Sequence, residues 1–213
     1  KTLTFGVAYT WSKTLGIAGG DGDTLHPTNF RMANYGPLFF DRPQQLTFNY
    51  LYELPKFGEK LGNNWASNAI FSGWVISGFT TMASGEPVDL SFSVQGIGGA
   101  DRNRIWTGSE TFGPRVVYNG NPNLSSGERS LTRFIDTSVL ALPAIGSQGL
   151  DSGSRVVRNP GIHNWDISLF KNIYFGEQSR FLQLRLEMFN APNHTQFSGF
   201  NGNAEFVRST GQI

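Results

Sequence analysis

Few polar side chains in this chain stand at spacings that chemistry requires. Asp21-Gly22-Asp23 begins like a calcium loop, but Leu25 takes the third ligand position and no Glu follows at the required distance. A solvated Gly-Asp turn is the better reading. His26, His163 and His194 are far apart in sequence and lack zinc-site spacing, so they read as loop or interface histidines. Gly96-Ile97-Gly98-Gly99 reads as a flexible loop, because a phosphate or dinucleotide cradle needs a helix directly after it and none is expected here. No Gly-x-Ser-x-Gly elbow occurs, and Ser, His and Asp are too common to name a triad without geometry. Asp166, Arg185 and Glu187 have the residue types for acid–base work, but a cross-strand charge ladder is the plainer account. No catalytic, cofactor or metal site is expected, and the chain does not read as an enzyme.

Composition narrows the classes further. The net charge of +1 over 213 residues gives no electrostatic reason to expect a nucleic-acid partner. Charged residues make up only 15%, against roughly 25% in ordinary soluble domains. Gly (26) and Phe (18) are abundant, and the hydrophobic content argues against disorder. The absence of cysteine excludes disulfide scaffolds and thiolate chemistry. No apolar run is long enough for a membrane helix, which leaves a membrane β-barrel open. The chain begins at Lys1 directly in a strand-like segment, with no export signal, and Phe206–Ile213 stops where an alternating segment could start. Either a signal has been removed or the chain is a piece of something longer, and both ends are expected to be cut rather than finished.

The elements that would carry these residues repeat with period two. Leu3, Phe5, Val7, Tyr9 and Trp11 share one face of the first segment. Leu46, Phe48, Tyr50, Tyr52 and Leu54 alternate with Thr47, Asn49, Leu51 and Glu53. Trp165, Ile167, Leu169 and Ile173 lie opposite Asp166, Ser168, Phe170 and Asn172, and Leu182, Leu184, Leu186 and Met188 lie opposite Gln183, Arg185 and Glu187. Segment 69–82 is strand-like with mixed faces. Strands of nine to eleven residues suit a tilted membrane crossing, yet soluble sandwiches alternate too. Phe175–Ser179 reads as a short turn, whereas 15–43 and 95–160 read as long loops with weak periodicity. Such loops are uncommon in compact soluble domains and tolerated outside membrane barrels. Face parity allows a hairpin register that sets Trp165 opposite Met188, Ile167 opposite Leu186 and Leu169 opposite Leu184, with Ser168 opposite Arg185 and Asp166 diagonal to it. The parity fits a barrel, apolar outside and charged inside, and equally a sandwich with those charges in water.

Asn164-Trp165-Asp166-Ile167-Ser168-Leu169-Phe170-Lys171-Asn172 and Arg185-Leu186-Glu187-Met188-Phe189-Asn190-Ala191-Pro192-Asn193-His194-Thr195-Gln196-Phe197 together resemble the C-terminal barrel region of TonB-dependent receptors of the Oar-like branch. Tyr9–Lys13, Phe40–Pro43, Tyr52–Pro55, and Gly73-Trp74 leading to Ser84–Pro87 match in the same order, although the family more often has His where Pro43 stands. The resemblance implies an all-β fold: part of an antiparallel transmembrane β-barrel with about five or six long strands and long extracellular loops, incomplete at both ends. Residues 1–213 would be the C-terminal part of the barrel domain, without signal peptide or plug domain. It further implies active uptake of a large or scarce substrate across the outer membrane of a Gram-negative bacterium. The implied partners are outer-membrane lipid, a plug domain of the same full-length chain, and the TonB energy-coupling protein. The Asn193-His194-Thr195 sequon is discounted in a bacterial setting.

Counting strand directions back from a family-type closing strand puts every long loop outside, provided Ser84–Pro87 is a kink leading into Val88–Val94 rather than a hairpin. Tyr9, Trp11 and Trp165 then fall near the outer interface, and Tyr50 and Tyr52 near the inner one. Asn49, Glu53, Asp166, Arg185 and Glu187 are the lumen-facing candidates. Phe5, Val7, Phe48, Tyr50, Trp165, Ile167, Leu169, Leu184 and Leu186 are the lipid-facing candidates. The competing expectation is a soluble, secreted β-sandwich that binds glycans through exposed Trp65, Trp74 and Trp106.

Overall fold

The computed structural model describes residues 2–17, 30–150, 153–175 and 180–208. Asp21–Asp23, Leu25 and His26, residues 176–179 of the expected short turn, and 209–213 lie outside the described residues. Along the chain run β1 (Leu3–Trp11), β2 (Leu15–Gly16), α1 (Phe30–Asn34), β3 (Gly36–Pro37) and β4 (Gln44–Glu53). Next come α2 (Phe57–Lys60), α3 (Trp65–Phe71), β5 (Trp74–Ala83), β6 (Pro87–Val88), β7 (Ser91–Val94) and α4 (Gly99–Thr107). The last elements are β8 (Val117–Tyr118), β9 (Leu140–Ala141), β10 (Val157–Arg158), β11 (Ile162–Tyr174), β12 (Phe181–Met188) and β13 (Asn203–Phe206). The chain divides into two compact units.

The first unit is built on one five-stranded antiparallel sheet in the order β1-β4-β5-β11-β12. Its strands are β-branched and aromatic alternations, the composition that suits a pleated surface. β1, β5 and β12 run one way and β4 and β11 the other, so segments 12–43 and 84–161 and the chain after Met188 all leave from the same end of the sheet. Ser84–Pro87 is accordingly not a hairpin: β5 pairs only with β4 and β11, and the chain beyond it joins the second unit. The sandwich expectation fails here, because the other sheets among the described residues are all two-stranded.

Two further expectations are corrected in this unit. Segment 69–82 is two elements, the end of α3 and then β5. Asn64 caps α3 by accepting from the Ser67 amide (2.8 Å), and Gly73 turns the chain at φ +75°, where a Cβ would lie 2.3 Å from the Asn172 carbonyl oxygen. The mixed faces of this segment are a helical period followed by a strand period. The β11–β12 register is shifted by two residues from the one read in the sequence: Ile167 faces Met188, Leu169 faces Leu186 and Lys171 faces Leu184. A two-residue shift keeps every side chain on its face and changes only its partners.

The second unit comprises Ser12–Arg42, Gly85–Pro160 and Phe197–Ile213. Segment 95–160 is not structureless. It carries α4 and the β8–β9 pair and packs around Leu90, Phe92, Val94, Trp106, Val116, Leu140, Val157 and Phe206. Phe92 meets Trp106 and Phe206 edge-on, with ring centroids 5.5 and 5.9 Å apart. Trp106 is buried and donates its indole N–H to the Pro143 carbonyl (2.9 Å), so it offers no face to a sugar. A helix also follows Gly96–Gly99 directly, against expectation; its first turn carries Asp101, whose charge opposes an anion there.

Candidate functional site

Register fixes the chemistry of the two sheet faces. On one face Phe5 pairs with Tyr50, Val7 with Phe48, Phe48 with Thr80, Thr80 with Trp165, Ile167 with Met188, and Leu169 with Leu186. All nine residues read as lipid-facing therefore share this face, and Phe48 stacks on Tyr50 at 5.5 Å. β5, whose faces the sequence left unassigned, adds Ile76, Gly78, Thr80 and Met82 to it. Tyr50 lies so close over Gly78 that a Cβ there would sit 2.4 Å from its ring. The hollow on this face, about 610 Å³, is bordered only by Leu3, Phe5, Phe48, Tyr50, Tyr52 and Ile76.

The opposite face carries all five lumen candidates, though not as one cluster. Asn49 and Asp166 border a hollow of about 530 Å³ together with Thr4, Ser77 and Ser168. Glu53 borders another, of about 390 Å³, with Lys56, Asn68, Trp74 and Asn172. Arg185 and Glu187 are the pair brought together: the guanidinium lies 3.5 Å from the Glu187 carboxylate and 4.9 Å from the Phe170 ring centroid. Gln183 extends this ladder, accepting from Arg185 (3.1 Å) and donating to Asn172 (2.9 Å). Asp166 stands apart from Arg185, because the shifted register sets Phe170 rather than Ser168 opposite that residue. Its carboxylate instead accepts from the Asn190 amide (2.9 Å) and the Asn164 side chain (3.0 Å). The three charges do not form an acid–base group.

Two features escaped the sequence reading. His163 and His194 meet, with rings 5.3 Å apart; Trp165 donates to His163 Nε2 (2.8 Å), and Gln196 contacts His194 Nδ1 (3.1 Å). Only folding of residues 190–196 back toward β11 creates this contact. Lys171 is the other: it occupies the apolar face, where the alternation had skipped it, with its ammonium 5.0 Å from the Trp74 ring centroid and donating to the Ser72 carbonyl.

The second unit holds a buried carboxylate. Asp41 is fully enclosed and paired with Arg158, which also donates to the carbonyls of Asp41 (2.9 Å) and Gly85 (3.1 Å). Burial pushes the Asp41 carboxyl up, but the Thr14 amide (2.6 Å) and then the Arg158 guanidinium outweigh it and hold the carboxyl below the usual carboxylate value. Gly85 is required at this point, since a Cβ would lie 1.7 Å from the Asn159 carbonyl oxygen. Arg42 pairs with Glu86 (2.5 Å), and Asp89 with Arg155 (3.2 Å). Tyr118 is pushed up to about 12 by burial and by the Asp89 charge. Arg115 donates to the Met32 and Ala33 carbonyls at the end of α1 (3.0 and 2.8 Å). These contacts tie segments 12–42 and 85–160 to each other. Among the described residues no group of three or more His, Cys, Asp or Glu could hold a metal ion.

No curated protein and no solved structure matched the chain. The family model of an outer membrane beta barrel domain matches residues 1–213. A single-layer antiparallel sheet with one apolar and one polar face is what such a domain requires, and the chain belongs to this family of Gram-negative outer-membrane β-barrels.

Proposed function

We propose that this chain supplies wall strands and extracellular loops of a TonB-dependent outer-membrane transporter that takes up a large or scarce substrate. The opposed chemistry of the two sheet faces is the observation that carries this reading. Phe5, Val7, Phe48, Tyr50, Trp165, Ile167, Leu169, Leu184 and Leu186 face lipid. Asn49, Glu53, Asp166, Arg185 and Glu187 face a watered lumen, where they meet plug or substrate. The end of the sheet from which segments 12–43 and 84–161 leave faces the cell exterior, so the second unit is built from outer loops and is suited to substrate contact. Energy coupling belongs to a plug and to TonB, and this chain's own residues take no part in it. The test is site-specific cross-linking to TonB, together with the reading frame upstream of Lys1. A coupling box, a plug region and a TonB cross-link support active uptake. A protein with none of them is an outer-membrane barrel of another kind.

A further inference from the structure

We propose that the β4–β5 connection is a membrane-interface anchor, with Ile70 and Phe71 seated among phospholipid headgroups at the rim of the wall. The proposal rests on reading the five-stranded sheet as a membrane wall, and it adds a lipid contact that the strands themselves do not provide.

Two side chains of the apolar face hold the last turn of α3. Trp74 donates its indole N–H to the Ile70 carbonyl (2.9 Å), and Lys171 donates to the Ser72 carbonyl while lying against the Trp74 ring. Lys171 is only 6% exposed, its ammonium covered by the Trp74 ring and the Ser72 carbonyl; a charge on this face is costly within hydrocarbon, and Trp is a residue that settles at the headgroup level. The Trp74–Lys171 row therefore marks where the hydrocarbon ends, and the turn bonded to it lies at that depth.

The turn presents apolar surface outward. Ile70 is 59% and Phe71 46% exposed. They are not loose ends, because the connection is internally bonded: Ser67 Oγ donates to the Gly58 and Leu61 carbonyls (3.0 Å each), and the Gly58 amide donates to Ser72 Oγ (3.0 Å). Trp65 and Asn68, on another side of α3, border the hollow shared with Glu53 and Asn172 of the polar face. One side of this short helix, Trp65, Asn68 and Ala69 with the C-cap Ser72, is thus turned to that hollow, while Ile70 and Phe71 do not line it and stay exposed. Phospholipid at the headgroup–acyl boundary is the partner that fits such a rim.

These 213 residues contain no cysteine, so single nitroxide labels can be placed by I70C, F71C, W65C and L186C in the full protein once any cysteine outside them is replaced by serine. After reconstitution into phosphatidylethanolamine–phosphatidylglycerol vesicles, collisions with oxygen report lipid and collisions with a water-soluble nickel chelate report solvent. Labels at 70 and 71 are expected to lie between the lipid-dominated value at 186 and the solvent-dominated value at 65. Solvent-dominated values at 70 and 71 with a lipid-dominated value at 186 overturn the anchor and leave the wall standing. A solvent-dominated value at 186 overturns the wall reading and the anchor with it. Ile70 and Phe71 are read independently, so a label that blocks barrel assembly at one leaves the other decisive.

Discussion

The ten buried hydrophobic side chains among the described residues, from Leu38 to Phe206, all belong to the second unit, whereas Phe5, Val7, Leu184 and Leu186 of the wall are each more than half exposed. The second unit follows the rule of water-soluble domains, with apolar groups inside and ion pairs tying its segments together. The wall inverts that rule because lipid replaces a core as the destination of its apolar side chains. One chain therefore carries two solvation codes, and a substitution of the same kind should act differently in each.

The comparison breaks most readily at Phe92. Phe92→Ala should cost the second unit about 4 kcal/mol, read as lost hydrogen-exchange protection around β7 and α4, with wall protection unchanged. Asp41→Asn leaves Arg158 facing a neutral partner and should cost about 3 kcal/mol. The same pair sets a pH dependence. The Asp41 carboxyl is held low in the folded state, so its contribution is present above the unfolded carboxylate value and lost as pH falls through the folded one. Exchange protection around Arg158 should therefore be steady above about pH 4 and decline below it, and Asp41→Asn should remove that decline.

In the wall, Phe48→Arg should cost about 2–3 kcal/mol of barrel stability, measured by reversible unfolding in lipid, and Leu184→Arg should behave alike. Arg185→Leu, on the polar face, should cost under about 1 kcal/mol, because its partner Glu187 is itself well exposed. Equal costs at Phe48 and Arg185 would sink the assignment of the two faces.

What the sequence made legible follows the same divide. β1 was readable residue for residue, because Leu3 to Trp11 alternate without interruption and a pleated strand needs only its own neighbours to declare its faces. β5 was not, since Gly78 and Thr80 break its apolar face and Phe79 stands on the polar one. The core of the second unit was invisible for another reason. Val157 and Phe206 reach Phe92 across long stretches of loop, and no local period encodes that meeting. Trp106 shows the consequence: in sequence it looked available to a ligand, and in the fold it is a core side chain. The His163–His194 contact was hidden likewise, because only the return of residues 190–196 toward β11 brings the rings together. The hairpin's faces were legible and its register was not, because parity restricts pairing to alternate offsets without choosing among them.

β13 pairs in parallel with β7, and Ser91 bonds to Asn203 across 112 residues of chain. Synthesis runs from the amino end, so Phe92 and Trp106 emerge long before Phe206, the ring that closes over Phe92. The second unit's core cannot close without the chain that follows β12. Completion of the second unit thereby depends on the length of chain spent on the wall: Phe206, the last described residue of its core, lies beyond the final described strand of the five-stranded sheet.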